Sequence, residues 1–237
     1  AHSPEFTMLE YYTMDADYIR SLDITEELFA ALVADKGGEA SSLSPPFERW
    51  TMDEAFLRIA GFSLTEKLEN GTLADEARRL GLDVEENDDD GEVYNLIFIH
   101  KIEPALPKER PVALLDYPAA VPCLALLNGD GGLTRQRWEL YVRGIELANC
   151  YSEETDAEQV RKFFLSEQRE KELRSAGLHA VDKDYWKIFQ PARSPDGETR
   201  PFPRCSGVAL GLDRLIMALA GRKTIDGVLP FPMETGF

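Results

Sequence analysis

Cysteine is scarce in this chain of 237 residues. Cys123, Cys150 and Cys205 show no paired spacing and no C-x-x-C, which argues against a disulfide framework or a structural zinc site and for reduced thiols. Cys123, among apolar neighbours, is expected in the core. Long apolar runs are missing too, so no stretch is suited to span a bilayer. With no secretory signal either, a cytoplasmic location and no membrane partner are expected. Basic residues are in deficit: 26 Lys and Arg against 43 Asp and Glu give a net charge of −17. Tracking a nucleic-acid backbone depends on Lys and Arg neutralising phosphates, so the balance points instead to small-molecule chemistry or a basic partner. There is no internal repeat and no low-complexity tract. The length suits one large domain or a compact pair with an ample core.

What is present centres on residues 138–156, W-E-L-Y-V-R-G-I-E-L-A-N-C-Y-S-E-E-T-D. Alternation puts Glu139, Tyr141 and Arg143 on one face and Leu140 and Val142 on the other. A two-residue turn at Arg143-Gly144 pairs Val142 with Ile145 and Tyr141 with Glu146. Glu139 then lies diagonal to Glu146 on one face, with backbones about 7–8 Å apart. Glu153 follows at the same interval of seven. Such carboxylates suit a divalent metal carrying phosphates, and they equally suit a solvated hairpin face. The residues alone leave both open.

A second stretch, C-S-G-V-A-L-G-L-D-R-L-I-M-A-L, runs from Cys205 to Leu219. Gly207 and Gly211 bracket a short apolar strand, and Asp213 opens an apolar helical run. Glycines permit close approach of a flat ligand or a phosphate. Arg214 falls in the first helical turn, where free N–H groups already favour anions and a guanidinium can fork onto a triphosphate. An ordinary tight strand-to-helix turn fits the pattern equally.

In chain order, residues 3–12 read as a strand with Phe6, Met8, Glu10 and Tyr12 on one face. A helix from Asp15 to about Lys36 follows, stopped by Gly37-Gly38. Residues 47–50 read as a short strand, and Thr51 with Glu54 forms a capping box for the next helix. Residues 64–82 hold one or two short helices broken at Asn70-Gly71. E-E-N-D-D-D-G-E, residues 85–92, reads as a solvated acidic loop rather than a cation site. A helix is predicted over 93–102, with His100 structural. Buried strands are predicted at 111–115 and 123–127, joined by the rigid turn D-Y-P-A-A-V-P, and 128–132 form a flexible loop. Thr155 and Asp156 start a charged helix running to about Ala176 and ended by Gly177. Residues 194–203 read as a loop.

Together these stretches carry a resemblance. G-V-A-L-G-L-D-R-L resembles motif 3 of the class II aminoacyl-tRNA synthetases, and S-P-E-F-T-M-L-E-Y-Y resembles the second half of their motif 2. R-W-E-L-Y-V-R-G-I-E-L-A-N is similar to the segment before motif 3 in the lysine-specific branch. Within that branch, P-F-E-R-W-T-M-D-E-A-F-L-R and the exit from Cys205 onward are most similar to the elongation factor P lysine ligases. The resemblance covers nearly the whole chain, with the motifs in order.

The resemblance implies an α+β fold: a class II synthetase catalytic domain over residues 1–237, its antiparallel sheet flanked by helices and its N-terminal part lacking (motif 1, which makes a homodimer in the complete protein, and the start of motif 2 with its arginine). It implies ATP-dependent activation of lysine or β-lysine as an adenylate, with release of pyrophosphate, and transfer to a lysine of elongation factor P. By resemblance His2 lies near the triphosphate, Phe6 stacks on adenine, Gly211 lines the nucleotide site and Arg214 holds the triphosphate tail. Glu139 and Glu146 hold magnesium. Glu10, Tyr12, Asn149 and Glu153 read the amino acid, beside Ala209. Arg214 and Glu146 act in catalysis. Strict alternation puts Asn149 on the face opposite Glu146, so its role requires a bulge or twist after Ala148.

Two positions depart from the family pattern: Cys150 replaces a glycine, where its side chain is expected to crowd the site, and Ala209 replaces a glycine of lysyl-tRNA synthetases, which favours the ligase. The alternatives are the catalytic half of a lysyl-tRNA synthetase, its anticodon-binding part lying in the missing segment, and a non-catalytic paralogue that binds an adenylate or a partner. With a net charge of −17, tRNA is the less expected acceptor.

Overall fold

The structure is a computed structural model that describes residues 5–34, 37–129, 131–173 and 182–230. The chain opens with strand β1, Met8–Met14. Helix α1, Tyr18–Val33, is capped by the Asp17 side chain, which accepts from the Arg20 N–H at 2.9 Å. Strand β2, Glu48–Thr51, leads directly into α2, Met52–Ala60, where Thr51 and Glu54 form the expected capping box. Two short helices follow, α3 (Leu64–Glu69) and α4 (Leu73–Arg79), broken at Asn70-Gly71 as the sequence predicts. Then come α5, Asp90–Ile97, with a π-helical turn over Phe98–Ile102, and strands β3 (Val112–Pro118), β4 (Thr134–Val142) and β5 (Ile145–Ser152). Helix α6, Ala157–Leu173, starts where Asp156 accepts from the N–H groups of Glu158 and Gln159. A two-residue ladder, β6 (Ala192–Arg193) with β7 (Thr199–Arg200), precedes β8, Cys205–Gly211, and α7, Leu212–Leu219.

Six strands form one sheet in the order β1-β8-β5-β4-β3-β2, antiparallel throughout except for the β2–β3 pair. This is the α+β architecture expected, an antiparallel sheet flanked by helices. One face packs on α1 and α7: Leu22, Phe29, Trp138, Leu140, Val142, Leu147, Cys150, Val208, Leu210 and Leu215 are buried there. The other face, at its β2–β3 end, is roofed by α2–α5, with Phe56, Tyr94, Ile97, Phe98, Tyr117 and Tyr141 buried. The roof stops short of β5, β8 and β1.

Several local expectations change. The acidic run is only partly a loop: Asp89 and Glu92 close a second capping box and start α5 three residues before the predicted helix. Residues 123–127 form no strand. They make isolated bridges, Ala125 with Glu153 and Leu127 with Arg135, because Pro122 and the bend before it keep this stretch from a continuous ladder. Tyr117 and Pro118 still belong to β3, so the turn begins later than D-Y-P suggests. Residues 194–203 carry strand β7 rather than loop alone. Cys123 is half-buried, not core. His100 is exposed. Helix α1 ends at Val33; Lys36 lies outside the described residues, as do Ala176 and Gly177 at the predicted end of α6. Among the described residues no helix is long and apolar enough to cross a membrane.

Candidate active site

The uncovered part of the sheet face gathers most of the polar residues singled out from sequence. Register runs a row straight across four strands: Glu10 opposite Ala209, Ala209 opposite Asn149, and Asn149 opposite Glu139. Partners across a ladder share a face, so these four point the same way. The turn Arg143-Gly144 has positive φ at both residues, 53° and 77°, the two-residue connection predicted. It pairs Val142 with Ile145 and Tyr141 with Glu146, whereas Leu140 pairs with Ala148. Leu147 is therefore an extra residue on β5, and both it and Ala148 are buried in the core below. The bulge brings Glu146 and Asn149 to the same face. It lies just before Ala148, not after it, and does what the Asn149 assignment requires.

Two cavities open on this face. The first, about 300 Å³, is lined by Phe6, Glu146, Asn149, Ala209, Gly211 and Arg214 among others. Phe6 is 63% exposed, its ring free to face a flat ligand. Its position is set by Asp213, a buried carboxylate that accepts from the Thr7 N–H at 2.7 Å, while Leu212 N–H donates to the Thr7 carbonyl. Arg214 donates from Nη1 to the Glu146 carbonyl at 2.6 Å, tying α7 to β5. A Cβ built at Gly211 would meet the Arg214 side chain and the Leu147 carbonyl at ordinary distances, 3.5 and 3.6 Å. The protein alone would tolerate a larger residue there; the missing Cβ leaves room for an occupant.

Burial pushes the Glu146 carboxyl above its usual range and nearby Glu139 pushes it further, while Arg214, Asn149 and Arg137 draw it back. Glu139 is buried and held on both oxygens: Arg137 pairs with Oε1, and Tyr141 donates to Oε2 at 2.7 Å. Two adjoining carboxylates, one of them strained upward by the other, suit a divalent cation that takes its remaining ligands from phosphate oxygens. Among the described residues no three acidic, His or Cys side chains group as a metal site, so a cation here would draw on a ligand as well as the protein.

The second cavity, about 160 Å³, adjoins the first through Asn149 and Ala209. Glu10, Tyr12, Tyr151, Glu153 and Gly207 are further walls. Gly207 makes the room here: a Cβ would stand 2.5 Å from Glu153 Oε1 and 2.7 Å from Tyr12 Cε1 and would push both side chains aside. Glycine lets the ring and the carboxyl meet over the strand. Burial alone lifts Glu153 to about 7. A carboxyl raised this way, at the wall of a small polar cavity, is stabilised by a cationic ligand group.

Comparison with known proteins identifies the frame. The family model described as tRNA synthetases class II (D, K and N) matches residues 1–235. This chain belongs to that family. Among its relatives, a lysine–tRNA ligase of Moorella thermoacetica is 32% identical over 98% of the chain and 47% of its own length, and one of Thermoanaerobacter sp. (strain X514) is 30% identical over 98% and 46%. An elongation factor P–(R)-beta-lysine ligase of Yersinia enterocolitica is 32% identical over 98% of the chain and 66% of its own length. The chain thus spans about half the length of the curated tRNA ligases it matches and less than two thirds of the factor ligases.

Within this class II synthetase domain, the structure brings together Phe6, Glu139, Glu146, Asn149, Ala209, Gly211 and Arg214 at the first cavity and its floor, and Glu10, Tyr12 and Glu153 at the second. Glu153 does not join Glu139 and Glu146: it lies just past the end of β5, four residues beyond Asn149, and faces the second cavity. His2 lies outside the described residues. Cys150 does not crowd the site. It follows Asn149, so its thiol points into the core, 3.1 Å from Ser206 Oγ, and burial lifts its pKa to about 12. Four further residues belong to the site. The sequence marks Asp213 only as a helix start. Tyr151 was legible in the alternation Asn149-x-Tyr151-x-Glu153. Arg137, two residues before Glu139, stacks under the site between Tyr117 and Tyr151, 4.3 and 5.4 Å from the ring centroids. The sequence marks Gly207 only as a bracket of the strand.

Proposed function

We propose that the domain activates lysine, or its β-isomer, with ATP. The carboxylate attacks the α-phosphorus, pyrophosphate leaves, and the adenylate is passed to an amine or hydroxyl acceptor. The observation carrying this reading is that a cavity fit for a nucleotide and a smaller cavity with an unpaired carboxyl meet at Asn149 and Ala209. Phe6 stacks on the base, Arg214 grips the phosphate tail, and Glu153 faces the far ammonium, so that a neutral side chain leaves a buried charge unpaired. Members of the class use ATP and magnesium; Glu139 and Glu146 would hold the metal, which neutralises phosphate charge when bound. The protein's contribution is positioning and charge stabilisation.

We assign the lysine side chain of elongation factor P as the acceptor. Support comes from the relatives named as ligases of that factor, from the net charge of −17, and from the Cβ of Ala209 at the junction of the two cavities. Relatives named lysine–tRNA ligases, at the same identity, favour the catalytic half of such a synthetase as the second reading. The test uses the complete natural protein: intact-mass analysis of elongation factor P after incubation with ATP and either lysine isomer, beside a tRNA-charging assay. A mass gain on the factor is expected. Efficient tRNA charging with no gain overturns the acceptor, and absence of lysine-dependent pyrophosphate exchange overturns the activation itself.

A further inference from the structure

Behind the second cavity, across Tyr12 and Glu153, lies a third of about 300 Å³. Its other walls include Tyr185, Ile188, Phe189 and Phe202. The rings brace one another: Tyr185 and Phe189 lie 5.7 Å apart, Phe189 and Phe202 4.7 Å, and Phe164 of α6 backs Tyr185 at 5.1 Å. Braced rings serve as walls rather than as filling. Glu153 lines this chamber as well as the second cavity, and among the described residues no hydrogen bond or ion pair reaches its carboxyl. A cation that meets Glu153 from the second cavity therefore has its outer side turned toward aromatic surface.

A bare ammonium is strongly hydrated and gains little from such a space. An alkylated ammonium differs. It keeps its charge for Glu153, carries part of that charge on its alkyl hydrogens, and buries apolar surface against ring faces. Acylation does the reverse, removing the charge and leaving the carboxyl opposite a neutral amide. We propose that the aromatic chamber takes the substituent of an amino acid alkylated at its terminal nitrogen, so that the domain activates Nε-alkyl-lysines alongside lysine. The inference rests on the lysine-activating reading above. The far nitrogen plays no part in bond making: the carboxylate still attacks the α-phosphorus, and the bond to the departing pyrophosphate still breaks.

The test is ATP–pyrophosphate exchange by the complete natural protein with lysine, Nε-methyl-lysine, Nε-butyl-lysine and Nε-acetyl-lysine. A pocket closed around a primary amine rejects an added methyl by roughly 1–3 kcal/mol, about 5- to 150-fold. With the chamber open, kcat/KM for the methyl and butyl compounds should stay within about tenfold of lysine, and acetyl-lysine should fall below both. Loss of more than about tenfold on methylation, or acetyl-lysine outperforming methyl-lysine, overturns the inference while lysine exchange stands. Silence with every compound overturns the lysine reading, and the inference with it. Ile188→Trp, which fills the chamber, should lower the butyl-to-lysine ratio by at least about tenfold; an unchanged ratio counts against the chamber. If that variant fails to fold, the comparison among substrates decides alone.

Discussion

The two ends of one sheet face have opposite fates. Over β3 and β4, aromatic side chains are sealed: Tyr117 and Tyr141 are 3% and 2% exposed beneath α2–α5, packed with Tyr94 of α5. Over β1 and β8, Phe6 and Tyr12 stand 63% and 67% exposed. The same alternation in sequence makes core at one end and cleft at the other, and the roof decides which. At the sealed end two of these hydroxyls find partners inside, Tyr141 donating to Glu139 and Tyr94 to the Met52 sulfur at 3.5 Å, while that of Tyr117 is buried without one. Glu139 stands on the border, held by the core and turned toward the cleft. Polar side chains at the edge of a roof thus serve both the fold and the site.

The comparison is open to perturbation, beginning where the effect is largest. Arg137→Met removes the cation that pairs with buried Glu139 and leaves that charge uncompensated. Stability should fall by about 3 kcal/mol, read from the urea midpoint; an unmoved midpoint would mean that the sealed end does not depend on the pair. Glu146→Gln, on the open side, should leave that midpoint nearly unchanged but slow lysine-dependent pyrophosphate exchange at least about a hundredfold. Near-normal exchange would remove Glu146 from the site.

Glu153 offers a pH test. Its folded value, about 7, exceeds that of an exposed glutamate, so the free protein binds more protons folded than unfolded and should lose stability as pH rises from about 4.5 to 7. A lysine ammonium favours the ionised form, so lysine affinity should run the other way, rising roughly tenfold from pH 6 to pH 8. Calorimetric titration at the two values checks this, and Glu153→Gln should flatten the dependence. The smallest effect belongs to the roof: Thr51→Ala removes one half of the capping box and should cost about 1 kcal/mol, with pyrophosphate exchange unaltered once the protein is folded.

Much of this was readable in the sequence, for physical reasons. The hairpin turn, the Thr51 box and the break at Asn70-Gly71 are local, set by residues within a few positions of each other. Glu10, Tyr12, Glu139 and Glu146 follow from strand parity. The residues that escaped act across distance. Asp213 matters because it holds Thr7, 206 positions away, and Arg137 because β3 and β5 bring Tyr117 and Tyr151 to either side of it. The face of Cys150 is not legible from alternation because it depends on the bulge just before it. The strand expected at 123–127 failed because Pro122 and the bend before it interrupt the ladder, and of its five residues only Ala125 is buried.

That bulge decides which residues form the pocket wall. A strand stores its side chains in two frames, odd and even, and a single unmatched residue changes the frame of everything after it. Were Leu147 held in strict alternation instead, the odd-numbered Asn149, Tyr151 and Glu153 would turn into the core, and the even-numbered Cys150 and Ser152 would line the cleft. Substitutions along 148–153 alter one wall of the pocket at a time. Straightening the bulge at the same residue count would exchange the whole wall at once, whereas losing Leu147 together with the bulge would leave the wall in place.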